Sequence, residues 1–199
     1  MTTVYRYKLE IPAIDYNPDD GFVDVYCSPD LLDWESLNWE RWGSGGDFDA
    51  RHMFVDDWRL EHLWRRQGQG LAKVICQGVV TAPDFSIDLA CPLPLAAFQV
   101  WRSRVLAKYW QENDAIVVPA LQWGSPRTFP ICAKGILPGS VVAVRGPQKG
   151  TEDDWLVGMD YMIQAIQPEF ILHFGRKIQY SRKARYFTLR TTKFRRKKA

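Results

Sequence analysis

The sequence predicts an α/β fold built on a mainly parallel sheet of about five strands with flanking helices. The predicted strands are continuous apolar runs rather than alternating ones, which is typical of strands covered on both faces. These runs alternate along the chain with segments of helical periodicity, as strand–helix–strand units require. Five units are too few for a closed eight-stranded barrel, so we expect an open sheet or an incomplete barrel.

Each apolar run stops at polar or turn-forming residues, and these residues mark the predicted strand ends. The second run ends in Pro83-Asp84-Phe85-Ser86, and the fourth ends in Arg145-Gly146-Pro147. The five predicted strands lie within residues 52–55, 74–82, 115–121, 140–144 and 170–174.

Helical spacing of apolar residues predicts helices between these strands. The first helix covers Trp58–Gln67, and we expect Gly68 and Gly70 to end it because glycine commonly terminates helices. A short helix is predicted within residues 126–134, and a longer one over residues 154–166.

The longest predicted helix covers residues 95–112. Its apolar residues include Leu95 and Phe98, which we assign to the face that packs on the sheet. Arg102 and Arg104 are expected to lie mostly outside that face.

The predicted body, residues 51–175, is flanked by two segments of different composition. Residues 1–50 form an acidic extension rich in Trp and in turn-forming residues, within which Phe22–Tyr26 can make one short strand. A long loop of this kind inside a compact domain is usually functional or mobile. Residues 176–199 form a basic tail that also contains aromatic residues.

The charge of the chain is divided unevenly between the body and this tail. The tail holds eleven Lys and Arg residues and no acidic ones, which leaves 15 basic against 23 acidic side chains in the first 175 residues. Cations interleaved with aromatic rings suit contact with phosphates and bases, so we predict DNA or RNA as a partner. The predicted nucleic-acid-binding residues are Arg176, Lys177, Arg182, Lys183, Arg185, Arg190, Lys193, Arg195, Arg196, Lys197 and Lys198.

Two other interpretations of the tail remain open. It could be a solvated segment without a specific partner, or it could dock on the acidic half of its own chain. The apolar residues Tyr186, Phe187 and Leu189 also allow a last strand there.

The cysteine count and the hydropathy pattern restrict the compartment that we expect. The four cysteines show no zinc-ligand spacing, and no apolar run approaches the roughly 20 residues of a membrane span. No secretory signal is recognisable either. We therefore expect a protein of a reducing compartment with no membrane partner.

Polar residues that leave the strand ends are the candidate functional residues. Ligands of parallel α/β sheets bind beyond the carboxyl ends of the strands. We predict that Asp56, Asp57 and Asp84 are catalytic, because paired carboxylates with unequal pKa values can exchange protons. Asp56 or Asp57 together with Asp84 could also hold a divalent metal. The sequence indicates no other cofactor, and His52 is interpreted as a core histidine.

Four further residues at the strand ends are predicted to bind substrate. Gln122 and Trp123 would recognise or stack on a base, and Arg145 would contact a phosphate. Ser86 completes this set. No phosphate-binding glycine loop and no Gly-x-Ser-x-Gly elbow is present, so a nucleotide-hydrolysing motor and a standard serine hydrolase are not supported.

Each of these residues also has a purely structural interpretation. Asp56 or Asp57 could cap the helix that follows. Asp84 could close an Asx-turn, Trp123 could serve packing alone, and Arg145 could pair with one of the aspartates.

Motifs spread over residues 52–175 match the pattern of a known family. The matching residues are Phe54-Val55-Asp56-Asp57 with Trp58 and Trp64, Ala82-Pro83-Asp84-Phe85-Ser86, Pro94–Gln99, Trp101-Arg102-Ser103-Arg104, Tyr109-Trp110-Gln111, Val118-Pro119 with Trp123, Gly135-Ile136, Gly139-Ser140-Val141-Val142-Ala143-Val144 and Phe174-Gly175. On these residues the body resembles a domain-of-unknown-function family of bacteriophages and actinobacterial conjugative plasmids. In that family an Asn is usual at the position of Gln99, and Ser-Thr is usual at the position of Arg145-Gly146.

The resemblance implies a mobile genetic element, with the protein in the bacterial cytoplasm or in a virion. It implies no particular activity. With the charge pattern, it predicts a nucleic-acid-associated protein of a phage or plasmid that binds or processes a nucleotide or a DNA end. The alternative is a non-enzymatic virion component or interaction module whose tail faces nucleic acid or an acidic protein partner.

Overall fold

The structure, a computed structural model, describes residues 12–180 and 184–187. Every strand pairing between the named strands is parallel, which confirms the predicted α/β class. The first sheet contains, in spatial order, β1 (Trp39–Arg41), β2 (Ala50–His52), β3 (Val79–Thr81) and β4 (Ile116–Val118). The second contains, in spatial order, β5 (Ala120–Leu121), β6 (Val141–Arg145), β7 (Phe170–Phe174) and β8 (Ala184–Phe187).

The first two predicted strands differ from the observed ones at their boundaries. The first apolar run begins at the last residue of β2 and continues beyond it, since the amide of Met53 donates to the hydroxyl of Thr81 at 2.8 Å instead of extending the ladder. In the second run, Val74 and Ile75 belong to a helix, and only Val79–Thr81 is strand.

The two sheets are joined at Pro119, the single residue between β4 and β5. Proline has no amide hydrogen and therefore cannot donate to a strand ladder. The carbonyl of Val118 accepts from Ala82 at 2.7 Å on one side, and that of Pro119 accepts from Ala143 at 2.9 Å on the other. One continuous segment thus passes from the first sheet to the second at Pro119.

The joined sheets curl until their inner faces meet. The ring of Phe174 on β7 lies 5.2 Å from Trp39, 5.0 Å from His52 and 5.2 Å from Phe54, measured between centroids. With strands about 4.8 Å apart, β2 and β7 would be roughly 19 Å apart in a flat sheet. The contacts therefore require strong curvature, and of the two predicted architectures the structure has the incomplete barrel.

Alternate residues of β6 and β7 face the barrel interior and the outer helix layer. Ala143 and Leu172 belong to the interior cluster, whereas Val142, Val144 and Ile171 pack with the apolar side of the last helix. Both faces are buried, which explains why these strands are continuous apolar runs in the sequence.

Helices cover the outside of the barrel. Within the described ranges, none of them combines the length and the apolar character that a bilayer crossing requires. The α-helices are α1 (Glu61–Arg65), α2 (Gln67–Ile75), α3 (Leu93–Gln111), α4 (Phe129–Cys132) and α5 (Glu152–Ile166), and short 3-10 helices cover Pro29–Leu31, Asp57–Arg59 and Pro126–Thr128.

The prediction that Gly68 and Gly70 end the first helix is wrong. Both glycines lie inside α2, which begins directly after α1. A Cβ at Gly70 would stand 3.2 Å from the side chain and 3.3 Å from the Cα of Leu63. This glycine therefore serves the close packing of α2 on α1 rather than helix termination.

The predicted faces of α3 are also wrong in part. Leu95 and Phe98 are 48% and 40% exposed, although they were assigned to the packed face. Arg102 and Arg104, which were assigned elsewhere, are buried at 5% and 0% exposure. The periodicity identified the helix but not its orientation, because a cationic side chain can lie in the interior when it finds partners there. Arg102 donates to the carboxylate of Glu61 at 2.8 Å, and Arg104 donates to three carbonyl groups.

Arg104 fastens α3 to the rest of the barrel through its guanidinium group. Its Nη1 donates to the carbonyl of Ala120 at 2.9 Å, its Nη2 to Cys132 at 3.2 Å and its Nε to Lys134 at 3.1 Å. Burial lowers the pKa of Arg104 to about 10, so the side chain remains cationic at neutral pH. One side chain therefore satisfies carbonyls from β5, from α4 and from the turn that follows.

The segments outside the predicted body both contribute to the sheets. Strand β1 pairs with β2, and β8 pairs with β7. The segment Phe22–Tyr26, predicted as a possible strand, forms only an isolated bridge between Val25 and Ile136. Trp34 and Trp42 are buried and hold the N-terminal segment against the core.

We predict that Arg104→Met lowers the free energy of unfolding by about 3 kcal/mol or more, because it leaves buried carbonyls without donors. Urea unfolding measures this loss. Lys108→Met on the same helix is the matched control and should cost no more than about 1 kcal/mol, since Lys108 is only partly buried and pairs with Glu112. Equal losses in both variants would contradict the anchoring role of Arg104.

Candidate functional site

A cavity of about 670 Å³ lies at the carboxyl ends of β3, β5 and β6, beside the first turns of α5. This is the edge of the sheet at which ligands of parallel α/β folds bind. Five of the seven residues predicted for the site line this cavity: Asp84, Ser86, Gln122, Trp123 and Arg145.

Asp57 supports the cavity wall from behind Ser86. Its carboxylate accepts the hydroxyl of Ser86 at 2.8 Å and the amide of Ser86 at 3.1 Å. The 3-10 helix that begins at Asp57 has no side-chain cap, so the capping interpretation of Asp56 and Asp57 is wrong. Asp57 instead holds the loop after β3 in place.

Asp56 lies apart from the cavity. Its side chain is 75% exposed and approaches Arg59 at 3.8 Å. The structure therefore does not bring Asp56 together with Asp84, and an exposed ion pair of this kind contributes little to stability.

Asp84 is the carboxyl group whose chemistry the fold alters most. Burial raises the pKa of Asp84, the charge of Arg145 opposes this rise, and the charge of Asp57 adds to it, so that the resulting pKa is about 7. A carboxyl group with this pKa exchanges its proton close to neutral pH, which is the property of a general acid or base. Perturbed groups of this kind concentrate at functional sites.

Gln122 is buried, at 6% exposure, yet neither polar atom of its amide has a hydrogen-bond partner among the described residues. A buried amide without partners costs roughly 1–3 kcal/mol. Since Gln122 lines the cavity, a ligand bound there could supply both the missing donor and the missing acceptor.

Two tryptophans form one wall of the cavity. The rings of Trp123 and Trp155 lie 5.5 Å apart between centroids, and the indole of Trp155 donates to the carbonyl of Arg145 at 2.9 Å. A Cβ at Gly158 would collide with the indole of Trp123, so this glycine makes room for the ring against α5. Trp123 therefore packs and also lines the cavity.

Sequence reasoning missed the cavity residues that do not follow a strand end. Trp155 lies on the helix predicted over residues 154–166, and no local signal distinguishes a tryptophan that packs from one that also lines a cavity. Asp88 belongs to the loop after β3, Gln148 belongs to the segment that leads into α5, and Asp154 lies in the first turn of α5. Their proximity depends on loop paths that periodicity does not encode.

The described residues contain no group of three or more His, Cys, Asp and Glu side chains arranged to hold a metal ion. Of the predicted metal ligands, only Asp57 and Asp84 remain near the cavity, because the side chain of Asp56 is exposed to solvent. The carboxylate of Asp57 already accepts hydrogen bonds from the hydroxyl and the amide of Ser86. The donor set present at the cavity therefore fits acid/base chemistry better than a protein-held metal.

Of the basic tail, residues 176–180 and 184–187 lie within the described ranges. Arg176 pairs with Glu152 at 2.8 Å, and the ammonium of Lys177 lies 4.8 Å from the ring centre of Tyr186. The backbone of Arg185 belongs to β8. The other predicted nucleic-acid-binding residues lie outside the described ranges: Arg182, Lys183, Arg190, Lys193, Arg195, Arg196, Lys197 and Lys198.

Asp84 generates a prediction for the pH dependence of stability. A carboxyl group whose folded pKa lies above its ordinary value of 3.8 holds its proton more tightly in the folded state. The free energy of unfolding should therefore fall as the pH rises from about 4 to about 7, by roughly 3 kcal/mol. Urea unfolding of wild type and Asp84→Asn measures this slope.

The Asp84→Asn variant should lose that slope, whereas Asp88→Asn, a change at an exposed aspartate of the same cavity, should keep it. The same slope in Asp84→Asn and wild type would show that another group titrates.

Three comparisons place the chain among known proteins. A model of the family described as "Domain of unknown function (DUF4417)" matches residues 5–192, which extends beyond residues 52–175 on both sides. The "Gene 1 protein" of Mycobacterium phage D29 is 35% identical over 180 residues, covering 87% of this chain and 66% of that protein. The "Gene 1 protein" of Mycobacterium phage L5 is 33% identical over 183 residues, covering 88% of this chain and 75% of that protein.

This chain therefore matches about two thirds to three quarters of the length of these relatives. No solved structure matches it significantly. The expected resemblance to a phage family is confirmed, while the link to plasmids stays a prediction. The chain belongs to the DUF4417 family, a domain of unknown function that bacteriophages encode.

Proposed function

We propose that this chain is a nucleic-acid-associated phage protein whose cavity binds a nucleotide, either free or at a DNA end. The observation that carries the proposal is the buried, unpartnered amide of Gln122 in the cavity wall. Nucleobase edges present hydrogen-bond donors beside acceptors, and a side-chain amide matches such an edge with two bonds. A ligand without this pattern would leave the amide unsatisfied.

The neighbouring residues support the same ligand class. Trp123 is only partly buried and lines the cavity, so part of its ring is available to a base. Stacking of a base on an aromatic ring is worth about 1–3 kcal/mol. Arg145 is exposed at the cavity edge and carries the positive charge that a phosphate requires.

In this proposal Asp84 is the group that transfers a proton. Its pKa of about 7 lets the carboxyl group donate or accept a proton at neutral pH without large cost. Asp57 and Ser86 position the loop that follows β3, and thereby the residues beside Asp84. The reacting atom would be a nitrogen or a hydroxyl group of the bound nucleotide within reach of this carboxyl.

The tail would contact the phosphate backbone of DNA or RNA while the cavity holds one nucleotide. Its positive charge supplies the sequence-independent part of binding, which depends strongly on salt. The phage relatives support a location in the bacterial cytoplasm or in the virion.

A second candidate is a non-enzymatic interaction module or virion component. The observation that favours it is a set of exposed apolar side chains, with Trp58 at 67% and Leu89 at 59% exposure. Exposed apolar side chains mark a contact with another protein where they lie together in one patch. Absence of nucleotide binding in the experiment below would favour this candidate.

We predict that Gln122→Leu weakens the binding of deoxynucleoside monophosphates by at least about tenfold, because two hydrogen bonds to the base are lost. The same change should leave the melting temperature unchanged or raise it, since it removes a buried amide without partners. Calorimetric titration and thermal unfolding measure the two effects.

Gln164→Leu, at an exposed position of α5, is the matched control and should bind like wild type. Unchanged nucleotide binding in Gln122→Leu, or a lowered melting temperature together with lost binding, would count against the recognition role of Gln122.

We also predict that Arg195→Gln with Arg196→Gln reduces the salt dependence of single-stranded DNA binding. The slope of log affinity against log salt should become shallower by about 1 to 2, as expected for two lost phosphate contacts. Neutralisation is preferable to truncation at Gly175, because Tyr180 and β8 pack against β7.

Arg65→Gln with Arg66→Gln, a pair of exposed arginines in the body, is the matched control. A slope that changes equally in both double variants would mean that the tail makes no particular contact with DNA.

A further inference from the structure

Two register pairs bring a set of side chains together at the mouth of the incomplete barrel. Arg41 of β1 pairs with His52 of β2, and Arg145 of β6 pairs with Phe174 of β7. Paired residues of neighbouring strands present their side chains on the same face. Since the His52 ring lies 5.0 Å from that of Phe174, all four residues face the barrel interior at the strand ends.

The two arginines act on the same histidine from opposite sides of the barrel. Burial, together with the smaller effects of the charges of Arg41 and Arg145, lowers the pKa of His52 to about 4. The imidazole is therefore neutral at physiological pH and adds no third charge. The mouth nevertheless concentrates two guanidinium charges around one buried ring.

Donors at this mouth lack partners within the residues that the structure describes. The Nδ1 atom of His52 is buried and has no hydrogen-bond partner, and His52 itself is only 4% exposed. The Nε atom of Arg41 is also buried and has no hydrogen-bond partner among the described residues. Among residues 12–180 and 184–187, no carboxylate lies within ion-pair distance of Arg41 or Arg145.

We propose that Arg41, His52 and Arg145 form an oxyanion site at the barrel mouth that binds a phosphate group. This inference rests on the proposed function, because Arg145 belongs both to the mouth and to the nucleotide cavity. A nucleotide whose base meets Gln122 would then extend its phosphate across Arg145 toward Arg41.

A phosphate fits this set better than a single carboxylate does. Guanidinium groups bind phosphate oxygens through paired N–H donors, and two such groups approaching from different strands need an anion with several oxygens. The imidazole can donate a further hydrogen bond from Nδ1 in one of its tautomers. Asp84 is also near Arg145, and its carboxylate would repel a bound phosphate. Protonation of Asp84 removes most of this repulsion.

The first test titrates inorganic phosphate, and then pyrophosphate, into the full chain while the ring signals of His52 are followed by NMR. We expect saturable shifts, together with a rise in the pKa of His52, because a bound anion offsets the two arginine charges. An unchanged His52 signal at saturating phosphate would overturn the inference. This test needs only the wild-type protein, so it does not depend on how a variant folds.

The second test measures phosphate affinity in variants. Arg41→Gln should weaken phosphate binding by about tenfold, the value of one charge-assisted hydrogen bond, and Arg41→Lys should restore part of it. Arg66→Gln removes an exposed arginine at the junction of α1 and α2 and should leave the affinity unchanged. If Arg41→Gln and Arg66→Gln weaken phosphate binding equally, the loss of one positive charge explains the effect, and the proposed site is rejected.

Deoxynucleosides without phosphate separate this inference from the proposed function. Nucleoside binding that depends on Gln122, without any response to phosphate, would reject the oxyanion site alone. Phosphate binding that depends on Arg41, with no nucleoside bound at any concentration, would reject the nucleotide proposal while retaining the anion site.

Discussion

The break at Pro119 is the constraint on which the architecture depends. A residue without an amide hydrogen divides one extended segment into β4 and β5, so that each half pairs with a different sheet. The curvature that joins the sheets brings Phe174 against His52 and closes the barrel interior. Strand ends from β2, β3, β5 and β6 consequently converge at one edge, whereas a flat sheet would spread them over roughly 14 Å.

Convergence at this edge explains the unusual electrostatics of the site. Asp84 is withdrawn from water beside Asp57, and both effects favour its protonated form. The charge of Arg145 lowers the pKa of both this carboxyl group and His52, so one exposed cation influences two groups at the barrel mouth. Gln122 adds an unsatisfied amide to the same wall. Folded proteins rarely retain buried polar atoms without partners unless a ligand or water completes them.

The strand-end rule accounts for the part of the site that could be predicted from the sequence. Asp84, Ser86, Gln122, Trp123 and Arg145 each follow or end an apolar run, and the parallel topology carries them to one cavity. Asp56 satisfied the same rule but points to solvent, because the rule does not specify side-chain direction. The pairing of Arg41 with His52 could not be anticipated, since β1 is short and lies within a loop-like segment. Likewise, helical periodicity does not reveal that Arg104 is satisfied by distant carbonyls.

In the function that we propose, Gln122 completes its hydrogen bonds with the base of a bound nucleotide. The most direct measurement is NMR of the Gln122 side-chain amide, assigned through the Gln122→Leu variant, while deoxynucleoside monophosphates are added to the full chain. We expect a saturable shift of the NMR signals of this amide, at the same ligand concentration that shifts the Trp123 indole signal. Nucleotide binding that leaves the Gln122 amide unchanged, or no binding at all, would contradict the account.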